Sequence, residues 1–154
     1  MNPEEVRDPL LAALRMVVEN DHALLEWDLS ERCIASRLAM YLQSLIPGYS
    51  VDVEYNRVGY VPKTLFLPEE CANAKSRNGE PLVLPDVIVH RRGPDGPNLL
   101  VLELKKTTNP TLRDCDRLRL RAFREQLNYS FGALIECETR RHHAPTMTIV
   151  EWLG

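Results

Sequence analysis

A chain of 154 residues with 44% hydrophobic and 27% charged side chains has the make-up of a globular domain and is long enough to bury its own core. Its net charge of −3 argues against a protein that coats nucleic acid by bulk attraction, and no apolar run approaches the length that crosses a bilayer. The acidic start MNPEEVRD does not read as a secretory signal, so the expectation is a cytoplasmic protein with no membrane partner.

In chain order, the first expected element is an amphipathic helix over 3–19, with Val6, Leu10, Leu14, Val17 and Val18 at helical spacing and a break at Asn20-Asp21. A second helix fits 30–45: Ser30 caps it, Ile34, Leu38, Tyr41, Leu42 and Leu45 form the apolar stripe, and Pro47-Gly48 end it. Alternation of Val51, Val53 and Tyr55 with Asp52, Glu54 and Asn56 predicts a strand over 51–58. Residues 59–81 read as a long loop, of the kind that often serves as a lid or binding segment.

Two apolar runs flank Gly93-Pro94-Asp95-Gly96-Pro97-Asn98, which predicts a β-hairpin over the segment LVLPDVIVHRRGPDGPNLLVLELKK. A helix is expected from Pro110, at its first position, to about Asn128, followed by strands at 131–138 and 146–153. The whole is an α/β chain read as one domain, with 1–29 a helical extension, 30–138 the core and 139–154 a closing strand. Four cysteines at 33, 71, 115 and 137 show no paired spacing, so free buried thiols in a reducing compartment are expected.

The hairpin carries the chemistry. If it closes symmetrically, with Gly93 opposite Asn98, then Asp86 lies across from Lys105 and one diagonal step from Glu103. One face is then Val87, Val89, Leu100, Leu102 and Leu104, while the other gathers Asp86, Ile88, His90, Val101, Glu103 and Lys105. Two carboxylates beside a lysine suit a hard divalent cation that polarises a phosphoryl oxygen and acidifies a bound water.

Pro85-Asp86 followed by Glu103-Leu104-Lys105 on the next strand resembles the signature of the PD-(D/E)XK nuclease superfamily. The resemblance covers residues 30–138, where the expected element order follows a restriction-endonuclease-like core (αβββαβ) with a mixed central sheet flanked by helices. It implies Mg²⁺, with Mn²⁺ as a substitute, bound by Asp86, Glu103 and the Leu104 carbonyl, and catalysis by Asp86, Glu103 and Lys105. It implies a nuclease acting on DNA in preference to RNA, most simply an endonuclease. With little room for a recognition domain, sequence specificity would call for a homodimer or a partner. A non-catalytic nucleic-acid- or protein-binding module on the same fold is the alternative. A structural domain in which Asp86 merely enters a strand and ELKK merely leaves one is the third.

Glu31 falls on the core-facing stripe of its helix, and in the superfamily an acid from this helix often joins the metal; acids also favour any first helical turn. Glu26 and Asp28 are lesser alternatives. Asp52 and Glu54 read as a solvated strand face. Arg113, Arg117, Arg121 and Arg124 line one side of a helix and could contact phosphates, but Asp114, Asp116 and Glu125 are interleaved, which favours a solvated, salt-bridged face. Gln126 and Tyr129 carry no assigned role, His142-His143 with Arg140-Arg141 belong in a turn, and Trp27 and Trp152 read as core or interface.

Overall fold

The computed structural model describes residues 1–55, 65–71, 84–111 and 113–154. Helix α1 (Pro3–Asn20) opens on a capping box in which Asn2 and Glu5 each accept the other's backbone N–H. A short α2 (His22–Glu26) follows, an element that the hydrophobic spacing did not announce. In α3 (Glu31–Leu45) Ser30 is the cap, its hydroxyl accepting the Cys33 N–H at 3.1 Å.

Five strands form one mixed sheet in chain order: β1 (Ser50–Val53), β2 (Val87–His90), β3 (Asn98–Lys106), β4 (Phe131–Glu138) and β5 (Thr146–Leu153). Only β3 and β4 run parallel, because α4 (Arg113–Leu127) carries the chain back between them; the other neighbours are antiparallel. The apolar runs feed two layers of core. On one face Val87, Val89, Leu100, Leu102 and Leu104 pack with Leu10, Leu14, Ile34 and Leu38 of α1 and α3. On the other, Ile88, Val101 and Leu134 pack with Leu120 and Phe123 of α4. The face assignment read from the alternation is therefore the one observed.

Several expectations are corrected. β1 ends at Val53, since Glu54 takes φ 52°, a left-handed conformation that leaves the strand; residues 56–58 lie outside the described residues. α4 begins at Arg113 rather than Pro110, because the Asn109 side chain accepts the Thr111 N–H at 3.0 Å and closes a turn there. Of the expected loop 59–81 only 65–71 is described, and it holds a 3₁₀ turn at Glu69–Cys71. Cys71 and Cys115 are not free thiols: they form a disulfide that ties this turn to α4 across 44 residues. Cys137 is free and buried as expected, whereas Cys33 is free but only half-buried. Two of the four thiols behind the reducing-compartment expectation are thus accounted for otherwise. No helix among the described residues is long and apolar enough to cross a membrane.

Candidate functional site

In the hairpin Val87 pairs with Leu102, Ile88 with Val101 and Val89 with Leu100, a register shifted by two residues from symmetric closure. A bulge between Val89 and His90 then brings His90 opposite Asn98, one residue further still from symmetric closure. A shift of two keeps every side chain on its face, so the correction is in distance and not in sidedness. Extended by one pair, this register sets Asp86 opposite Glu103 itself, and Lys105 becomes the diagonal neighbour.

Past Val87 the β2 chain leaves the ladder, and backbone N–H groups of β3 would be left unpaired there. Carboxylates take their place. Asp86 Oδ2 accepts the Leu104 N–H at 2.7 Å, and Glu31 Oε2 accepts the Lys106 N–H at 2.8 Å. The Glu54 N–H reaches the Pro85 and Asp86 carbonyls at 3.1 and 3.3 Å, so the end of β1 anchors the backbone that carries Asp86.

Asp86 and Glu103 face each other in low-dielectric surroundings. Burial first, and then the nearby Glu31 charge, push the Asp86 carboxyl up to about 6 against the restraint of the Leu104 N–H. Glu103 lies well above the ordinary carboxyl range, first from burial and then from the Asp86 charge. Glu103 is the more deeply buried of the two. Glu103 Oε1 is buried with no hydrogen-bond partner.

Lys105 is 6% exposed, and its Nζ lies 3.2 Å from Oδ2 of Asp116, itself 1% exposed. Asp116 also pairs with Arg119 on the next turn of α4, and Arg119 Nε stands 3.8 Å from Glu103 Oε1. Asp116 and Arg119 thus belong to the cluster, although Asp116 was expected on a solvated face. The available signal was positional: residues 116, 120 and 123 form the buried stripe of α4, so Asp116 replaces an apolar side chain on it.

The remaining candidates fall elsewhere. Asp28 sits beside Glu31 at the rim, its carboxylate on Lys106 Nζ at 3.1 Å and on the Thr108 hydroxyl at 2.8 Å. Glu26 is exposed at the end of α2. Asp52 is not solvated but half-buried against His90 and Arg92, whereas Glu54 holds the exposed Arg32 at 3.0 Å. The arginine ridge is largely ion-paired: Arg113 to Glu136, and Arg117 and Arg121 to Glu151, while the Nε of Arg124 is buried without a partner. Gln126 clamps the backbone of Phe66, accepting its N–H at 2.8 Å and donating to its carbonyl at 3.2 Å. Tyr129 packs edge-on to Phe123 in the α4 core. His142 and His143 lie in the expected turn. Trp152 stacks on Phe131, but Trp27 is 71% exposed and so is no core residue.

Among the described residues, no three Asp, Glu, His or Cys side chains are grouped so as to hold a metal ion. Two carboxylates still match a hard cation such as Mg²⁺, which keeps several waters and takes one or two protein carboxylates. The unbonded Glu103 Oε1 offers such an oxygen. The Leu104 carbonyl points to the same side as the N–H that meets Asp86, as both groups of one strand residue do. Glu31 is less suited, since Lys106 N–H and the Asn109 amide already engage it. A comparison of the chain with protein-family models, with curated proteins and with solved structures finds no significant match.

Proposed function

We propose that this chain is a metal-dependent nuclease built on a restriction-endonuclease-like core, with DNA the favoured substrate. The observation that carries the reading is the juxtaposition of Asp86 with Glu103 where β2 leaves β3, with Lys105 on the same face two residues on. Mg²⁺ held by Asp86, Glu103 and the Leu104 carbonyl would supply the charge that polarises a phosphoryl oxygen and lowers the pKa of an attacking water. Asp86 and Glu103 would hold the ion as carboxylates, their protons passing to solvent as it binds. The Lys105 ammonium then offsets negative charge as it builds on the phosphoryl oxygens. Its burial makes that charge act in a low dielectric, where it counts for more than in water.

The test is cleavage of a panel of DNA and RNA substrates with Mg²⁺, with Mn²⁺ and with chelator. Metal-dependent cleavage lost in Glu103→Gln supports the reading; no cleavage of any substrate by the wild type under any metal defeats it. A second reading, a binding module on the same scaffold, draws support from one observation: Lys105 is already neutralised by Asp116. Metal-independent binding without cleavage would select it.

A further inference from the structure

The cluster poses a puzzle. Glu103 Oε1 is buried 3.8 Å from the Arg119 guanidinium, with Lys105 two residues along the same strand face, and yet accepts no hydrogen bond from either. A buried carboxylate oxygen next to an ammonium and a guanidinium would ordinarily be claimed by one of them, because such charge-assisted bonds are the strong ones. Lys105 has the reach to do so. It lies two residues from Glu103 on the same strand face, on a flexible four-carbon stem.

What prevents this is Asp116. From the buried stripe of α4 its Oδ1 takes the Arg119 guanidinium and its Oδ2 draws Lys105 Nζ to 3.2 Å. The Lys105 contact is a charge contact at hydrogen-bond distance and not an aligned hydrogen bond. Arg119 is left with its Nε 3.8 Å from Glu103, beyond hydrogen-bond range. One acid thus engages two bases and leaves Oε1 of the opposing acid without a hydrogen bond.

Resting on the nuclease reading, we propose that Asp116 is a positioning residue: it holds Lys105 and Arg119 off Glu103, so that Glu103 stays open to a divalent cation. Without Asp116 the two cations fall onto Glu103 and compete with the metal for its oxygens. The same hold keeps Lys105 in one place over the site, where a free lysine would sample several rotamers.

Direct Mn²⁺ titration of the full chain, followed by the free-ion resonance signal, tests this without relying on catalysis. Asp116→Asn, close to isosteric, should weaken Mn²⁺ binding about tenfold or more, the size of effect seen when a group supporting a metal ligand is removed. The same substitution made in a Lys105→Met/Arg119→Met background should change the affinity less than about twofold, because the competitors are gone. Loss of a distant negative charge alone predicts an equal drop in both backgrounds, and that result overturns the proposal. Unchanged affinity in Asp116→Asn overturns it as well. If Asp116→Asn does not fold, single Lys105→Met and Arg119→Met chains decide. With Asp116 holding both cations, removing either shifts the affinity by less than about threefold, whereas a tenfold gain means that cation sits on Glu103. A wild type that binds no Mn²⁺ refutes the metal site itself, an outcome separate from a wild type that binds while Asp116 proves irrelevant.

Discussion

Asp86→Asn removes a charge and keeps the shape: the amide oxygen can still accept the Leu104 N–H that Asp86 accepts at 2.7 Å. In the metal-free wild type, raising this carboxyl from its ordinary 3.8 to about 6 costs the folded state about 3 kcal/mol at neutral pH. That figure is a ceiling, because Asp86 keeps some contact with water. Asparagine should recover part of it, about 1–3 kcal/mol, and raise the melting temperature at pH 7 by about 5 °C for a chain of this size. The sign with pH follows from proton linkage. Between pH 3.8 and about 6 the folded chain keeps on Asp86 a proton that the unfolded chain has released, so stability falls as pH rises through that window. In Asp86→Asn this fall shrinks. Mn²⁺ reverses the ranking, since at a hundredfold excess over its dissociation constant it adds about 2.7 kcal/mol to a chain that binds it only when folded. Melting curves at pH 4.5 and 7, with and without Mn²⁺, measure all of this in one plate. Equal melting temperatures of wild type and Asp86→Asn at pH 7, together with an equal Mn²⁺ response, would show that the two acids neither repel nor bind metal.

Lys105→Met should lower cleavage by at least about a hundredfold, whereas Lys106→Met, whose amine lies on Asp28 at 3.1 Å, should cost far less; equal losses would contradict the assignment of strand faces. Because Arg117 and Arg121 pair with Glu151, the double alanine variant should lose less than about 1 kcal/mol of stability and keep its salt dependence of nucleic-acid binding. A flattened salt slope in that variant would return the ridge to phosphate contact. Reducing Cys71–Cys115, which closes a span of 44 residues, should cost about 4 kcal/mol by chain entropy. A melting temperature indifferent to reductant would mean that the bond does not form in solution.

Much of the candidate site is legible in the sequence because strand alternation is a local property. Val87, Val89, Leu100, Leu102 and Leu104 are apolar at every second position, and burying them on one face forces Asp86, Glu103 and Lys105 onto the other. Helix starts were legible where a side chain caps them, as at Ser30, and not at Pro110, where the Asn109 turn decides. The hairpin register was open by two residues, because alternation has period two and cannot distinguish registers that differ by a full period; the observed pairing of Val87 with Leu102 decides it.

Other features depend on which elements meet, and no local pattern encodes that. Cys71 and Cys115 pair because a 3₁₀ turn comes to rest against α4. Glu31 docks on the Lys106 N–H only because β2 ends early and leaves the edge of β3 to be satisfied. Asp116 looked like one more surface acid among arginines, and only the packing of α4 over the sheet buries it against Lys105. Which residues share a face is set by the order of residues alone, since that follows from backbone geometry along one strand. Tertiary structure decided which charges meet across elements, since burial strengthens some pairs and strips others of solvent, and burial belongs to the assembled molecule.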